Sequence, residues 1–236
     1  MKNLEWFKNR AEEQNNLEAP IIRKPFFCSG CPHNSSLKVP EGKRALGGIG
    51  CHYMAVDSIE STEFFTQMGG EGTPWIGIAP FSHEKHVFAN LGDGTYKHSG
   101  ILAIRASLDA NVNITYKILY NDAVAMTGGQ EIGSNWDVEG IVKQVLAEGV
   151  KKVSILSEDP KRYNHLVKNG VKSLHRDAII TEQEELSQYE GVSVLIFDQT
   201  CAAEKRRRRK RGLMEDPKKR VVINKDVCEG CGDCSC

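Results

Sequence analysis

Two groups of side chains in this sequence have the types and spacing to do chemistry. The first is sulfur: Cys28 and Cys31 form a C-x-x-C pair, Cys51 closes the run Gly47-Gly48-Ile49-Gly50-Cys51, and Cys201 stands far downstream. Four thiolates hold either zinc or an iron–sulfur cluster, and spacing leaves both open; a C-x-x-C by itself also fits a redox pair. Near the C terminus, Cys228-x-x-Cys231-x-x-Cys234 has the opening spacing of a bacterial ferredoxin site. Cys236 follows only one residue later, a poor distance for the fourth thiolate. Zinc ligation and an unligated tail are the other readings there, and a working second cluster is not expected. The second group is oxygen: Asp93 in Gly92-Asp93-Gly94, and Asn121 after a further 26 residues. A carboxylate and an amide oxygen are hard ligands suited to Mg²⁺, an ion that also takes phosphate oxygens. Gly92 and Gly94 would let backbone approach a diphosphate, and amides at the start of the next helix would face it.

Regular elements must carry these groups. Buried-strand patterns cover His86–Leu91, Ile114–Tyr120, Val153–Leu156 and Val192–Phe197, and helical spacing covers Ser99–Ala110, Asp137–Gly149, Pro160–Asn169 and Glu182–Tyr189. Strands alternating with helices imply a mostly parallel α/β sheet with helices on both faces. In such a sheet Asp93 and Asn121 follow neighbouring strands and share the rim where open α/β folds bind ligands. The loop Met126-Thr127-Gly128-Gly129-Gln130 belongs to the same rim. Residues 26–84 show little periodicity; a long irregular stretch in a compact domain is usually functional, and this one holds three cysteines.

Composition narrows the classes. Lys plus Arg equals Asp plus Glu at 31 each, so no overall field favours nucleic acid or a membrane surface. No stretch approaches the ~20 apolar residues of a membrane helix and no export signal is evident, which gives an expectation of reduced cysteines in the cytoplasm. Four segments are expected: an N-terminal linker or arm (1–25), the α/β domain (26–204), a basic connector (205–220) and the cysteine-bearing tail (221–236). The run Lys205–Arg211 reads as a solvated, partly helical connector facing an acidic partner or domain, since no aromatic stacking platform for nucleic acid accompanies it. His33, His52 and His98 lie near the candidate segments and are possible donors to phosphate or substrate.

The Gly-Asp-Gly and Asn pair resembles the diphosphate-binding signature of thiamine diphosphate enzymes. The cysteine pattern, with the flanks Phe27–Asn34, Met68–Gly72, Asn90–Tyr96 and Asp198–Arg211, resembles the 2-oxoacid:ferredoxin oxidoreductases, in particular their indolepyruvate branch in its long fused form. The resemblance implies a thiamine diphosphate-binding fold followed by the start of a ferredoxin-type domain, cut short. It implies Mg²⁺ on Asp93, Asn121 and the carbonyl of Ala123, and a cofactor cradle of Gly50, Gly92, Asp93, Gly94, Asn121, Ala123, Thr127 and Gly128. It further implies a [4Fe–4S] cluster on Cys28, Cys31, Cys51 and Cys201, with Cys228, Cys231 and Cys234 as ligands of a second. The implied activity is oxidative decarboxylation of an aryl 2-oxoacid with coenzyme A, ferredoxin taking the electrons. The activating carboxylate would belong to a pyrimidine-binding domain in another segment or subunit. Two other classes stay open: an electron-transfer module without decarboxylase activity, and a zinc-binding interaction protein.

Overall fold

The computed structural model describes residues 2–15, 25–58, 61–129, 133, 137–219 and 221–231. Seven strands form one sheet: β1 (Ala45–Gly47), β2 (Thr62–Phe65), β3 (Val87–Gly92), β4 (Ile114–Tyr120), β5 (Lys152–Ser157), β6 (Lys172–His175) and β7 (Val192–Asp198). Their order is β2-β1-β3-β4-β7-β5-β6, and every pairing is parallel. Parallel strands covered on both faces read as nearly continuous apolar runs, which is why β3, β4, β5 and β7 stood out in the sequence.

The strand expectations hold to within one residue at either end. The helices at Ser99–Ala110 and Asp137–Gly149 appear as Ile101–Asp109 and Val138–Glu148, the latter capped by Asp137, whose carboxylate accepts from the Gly140 amide at 2.8 Å. Glu182–Tyr189 corrects to Ile179–Ser187, and the helix at Pro160–Asn169 appears with the expected bounds, as a 3-10 helix. The stretch 26–84 is not irregular throughout: it contains β1, β2 and the helix Thr73–Ile78. Strands of three and four residues are too short to show alternation, so periodicity could not announce them. β6 was missed for the same reason.

One face of the sheet is apolar. Leu91, Ile104, Ile114, Ile118, Ile141, Val145, Ile155 and Ile196 share a core there with Trp75 and Tyr163. The other face pairs a smaller apolar cluster around Phe27, Leu37, Leu119, Leu195 and Phe197 with a buried polar layer. In that layer His86 Nε2 meets Thr115 Oγ1 at 2.7 Å, and Thr115 meets Ser193 Oγ at 2.8 Å. Lys117 is fully buried; its ammonium donates to the Lys38 carbonyl at 3.0 Å and lies over the Phe88 and Phe197 rings. Burial pushes its pKa well down.

After β7 the helix Ala202–Lys210 carries most of the basic run, so helix continues across the expected boundary between 204 and 205. Residues 221–231 contain no helix or strand and are exposed, Cys228 and Cys231 among them. Cys234 and Cys236 lie outside the described residues. Among those described, no helix is long and apolar enough to cross a membrane.

Candidate cofactor site

An all-parallel sheet delivers every strand's carboxyl end to one rim. Four adjacent strands therefore bring four chain segments together: Gly48–Cys51 after β1, Asp93 after β3, Asn121–Ala123 after β4 and Cys201 after β7.

Asp93 is buried at the first position of a helical turn, Asp93–Thr95. Its Oδ1 accepts from the Gly94 amide at 2.8 Å, and its Oδ2 accepts from the amides of Asn121 at 2.7 Å and Asp122 at 3.2 Å. Burial pushes its pKa up to about 6, against the pull of those amides. Among the described residues no cation pairs with this carboxylate; its neighbours are backbone amides. Asp122 reaches it only by adopting a left-handed backbone (φ 62°), uncommon for a residue other than glycine. Beside it, Asn121 is buried and its Oδ1 has no hydrogen-bond partner among the described residues. A buried acceptor left unpaired is costly unless a ligand meets it.

These residues open on a cavity of about 320 Å³, within the usual range of small-molecule sites. Gly50, Cys51, Gly92, Asp93, Gly94, Asn121 and Ala123 line it, as do His33, His52 and His98. Apolar walls come from Ile49, Met68, Val124 and Met126, of which all but Val124 belong to stretches the sequence pointed to. Gly92 and Gly94 have negative φ, so it is the missing side chain, rather than backbone freedom, that suits them to the wall. Gly50 is the constrained one: at φ 149°, a Cβ would also stand 2.8 Å from the His52 ring. Gly128 ends the turn Ala125–Thr127 with φ 118°.

His33 and His52 pack ring edge to face, with centroids 6.4 Å apart. Burial pushes their pKa values down to about 4 and about 3, so both rings are neutral at neutral pH. Among the described residues His52 Nε2, also buried, has no hydrogen-bond partner either. His98 is held by Ser99 Oγ at 2.8 Å.

The thiols converge on the same rim. Burial pushes the Cys31 thiol up to about 11, and the nearby thiols of Cys51, Cys28 and Cys201 push in the same direction. Cys51 is likewise raised by burial, then by Cys201 and Cys28. Cys31 thus has the other three as electrostatic neighbours and Cys51 has Cys28 and Cys201, and none of the four is in a disulfide. Among the described residues no three His, Cys, Asp or Glu side chains close to the spacing of a single-ion site. The Cys201 amide donates to the Asn121 carbonyl at 3.1 Å, which joins the sulfur group to the oxygen group directly.

Residues 48–169 match the family model described as thiamine pyrophosphate enzyme, C-terminal TPP binding domain, just over half of the chain. The chain belongs to that family. Its relatives include the indolepyruvate oxidoreductase subunit IorA of Thermococcus kodakarensis, 27% identical over 90% of this chain and 34% of that protein. The IorA subunit of Archaeoglobus fulgidus is 27% identical over 95% of this chain and 40% of that protein. This TPP-binding domain thus spans about a third of the length of such relatives. Its fold is shared with a 2-oxoglutarate:ferredoxin oxidoreductase from Magnetococcus marinus (TM-score 0.53, 20% identity, 86% of this chain and 74% of that one). It is also shared with a benzoylformate decarboxylase from Polynucleobacter necessarius (TM-score 0.51, 16% identity, 72% and 33%). The resemblance to the 2-oxoacid:ferredoxin oxidoreductases is borne out at the level of family.

Sequence reasoning named the ligand candidates but missed Asp122, whose left-handed turn aims an amide at Asp93. It also missed the inward use of Arg206, Arg207 and Arg208, for which the only available signal was the helical spacing of Glu204 and Arg208.

Proposed function

We propose that this TPP-binding domain is part of an oxidoreductase that oxidatively decarboxylates aryl 2-oxoacids, indolepyruvate among them, with coenzyme A, and delivers electrons through a [4Fe–4S] cluster to ferredoxin. The observation that carries the reading is the shared rim: the cavity that holds the Asn121 Oδ1 and the Asp93 carboxylate, which meet no partner side chain among the described residues, is also walled by Cys51. Cys28, Cys31 and Cys201 lie close enough to Cys51 to raise its pKa or that of Cys31.

Asp93, Asn121 and the Ala123 carbonyl would hold Mg²⁺ against the cofactor's diphosphate, and the ion would supply the charge that the buried carboxylate lacks. Thiamine diphosphate, when bound, supplies the electron sink for loss of carbon dioxide. The chain's own residues bind and orient. Gly50, Gly92 and Gly94 leave room, Thr127 and Gly128 would meet the cofactor from just beyond the cavity-lining Met126, and neutral His33 and His52 offer ring nitrogens without charge. Cys28, Cys31, Cys51 and Cys201 would hold the cluster beside the cavity, in a cytoplasmic protein where thiols stay reduced. The activating carboxylate comes from a pyrimidine-binding domain in another segment or subunit. Cys228, Cys231 and Cys234 would begin a second site.

Anaerobic purification with metal, sulfide and cofactor analysis tests this. Iron and sulfide together with Mg²⁺-dependent uptake of thiamine diphosphate are expected. Iron and sulfide without cofactor uptake would leave an electron-transfer module, and zinc with salt-sensitive nucleic-acid binding would leave an interaction protein.

A further inference from the structure

Arg206, Arg207 and Arg208 are consecutive on the helix Ala202–Lys210, so their side chains leave it about 100° apart. Each reaches a different part of the rim. Arg206 Nη2 donates to the Ser29 carbonyl, inside the Cys28–Cys31 turn, at 2.6 Å. Arg207 Nη1 donates to the Gly128 carbonyl. Arg208 Nη2 donates to Asp122 Oδ2 at 2.6 Å, and the amide of that same Asp122 donates to Asp93. Glu204, one turn earlier, steadies Arg207 and Arg208 through contacts of 3.3 and 3.2 Å. The helix is capped at its start by Cys201, whose amide is bonded to Asn121. Arg206, Arg207 and Arg208 thus reach back to the rim from a helix whose basic side chains stay exposed or half-exposed.

We infer that the helix Ala202–Lys210 is a coupling bracket: order imposed on the thiol group is passed through Cys201, Arg207 and Arg208 to the segment 121–129, and the reverse. A single half-exposed ion pair contributes little. Here three donors and one backbone bond sit on one rigid element, so both sides bias the same arrangement. Coupling of this kind is reciprocal, and its usual size is about fivefold or more. The identity of the two ligands rests on the function proposed above; the bracket itself rests on the hydrogen bonds. Arg207 and Arg208 are positioning residues.

Hydrogen–deuterium exchange on the full chain tests it, before and after anaerobic reconstitution with iron and sulfide, with iron and sulfide content measured on each sample. In the wild type, reconstitution is expected to slow exchange across 121–129 by about fivefold or more. In Arg207→Gln/Arg208→Gln that dependence is expected to vanish while exchange in β4 stays unchanged, and Arg208→Lys, which keeps a cation facing Asp122, is expected to restore most of it. The same slowing in the double variant, or none in a wild type that has bound iron and sulfide, overturns the bracket. A chain that takes up no cluster fails the proposed function instead. The bracket is then judged on the cluster-free proteins, where the double variant must exchange faster across 121–129 than wild type, and equal rates overturn it. Should the double variant unfold as a whole, Asp122→Asn removes the same ion pair from the other side and is read in the same way.

Discussion

The backbone amide of Cys201 donates to the backbone carbonyl of Asn121 across 3.1 Å, which fixes the start of the basic helix to the end of β4. Because that bond uses only main chain, the Asn121 side chain can be changed without breaking it. The Asn121 Oδ1 makes no hydrogen bond to any of the described residues. Asn121→Ala is therefore expected to leave ligand-free stability within about 0.5 kcal/mol of wild type and to keep its iron. Mg²⁺-dependent binding of thiamine diphosphate should weaken by about tenfold or more, about 1.4 kcal/mol. Calorimetric titration beside thermal unfolding reads both.

Asp93 behaves differently because its carboxylate already satisfies three amides. Asp93→Ala leaves those donors unpaired at a buried position and is expected to cost about 1–3 kcal/mol of stability as well as the Mg²⁺-dependent binding. Asp93→Asn keeps an acceptor oxygen but not the charge, so it should recover part of the stability and little of the binding. Denaturant midpoints and titration on the two variants separate these effects. Cluster absorbance should survive in both.

Gly48 tests how closely the rim is packed. A Cβ there would stand 2.6 Å from Glu71 Cγ and 3.0 Å from the backbone oxygen of Asn90. Glu71 is fully buried and the Asn90 carbonyl lies in β3, so neither can retreat far. Gly48→Ala is expected to cost about 1–3 kcal/mol, measured by urea unfolding, and to weaken cofactor binding by moving the Gly48–Cys51 segment.

His86 supplies a pH signature away from the ligand groups. Burial, with help from Lys43, pushes its pKa down to about 3, and its Nε2 bonds Thr115. The folded chain keeps this ring neutral while the unfolded chain protonates it near 6.5. The stabilisation is thus present above about pH 6.5 and lost as pH falls toward 3, at about 1.4 kcal/mol per pH unit. His86→Gln should cost about 1 kcal/mol at about pH 8 through the weakened hydrogen bond, and should flatten the acid limb. Urea midpoints across that range report the slope, and a limb as steep as wild type would contradict the assignment.

Much of this was readable from the chain because the informative residues follow strong local rules. β4 and β7 are β-branched, apolar and buried on both faces, so their ends, and with them Asn121 and Cys201, could be placed on one rim without coordinates. Asp93 carried its own marker in the flanking glycines. β1 and β2 could not be read, since three or four residues hold no period, and the Gly48–Cys51 segment was located only by its motif. The arginines misled for another reason. Their composition looks solvated, whereas their partners Ser29, Gly128 and Asp122 are distant in sequence and come within reach only once the sheet has formed.

The proposed function would put a divalent ion at Asp93 and Asn121 beside a cluster held by Cys28, Cys31, Cys51 and Cys201. Mn²⁺ substituted for Mg²⁺ together with thiamine diphosphate, followed by electron paramagnetic resonance of the reduced protein, measures that proximity through the interaction of the two spins. The account predicts a cluster signal that is broadened and relaxes faster with Mn²⁺ than with Mg²⁺, an effect lost in Asp93→Ala. A cluster spectrum indifferent to bound Mn²⁺ would contradict it.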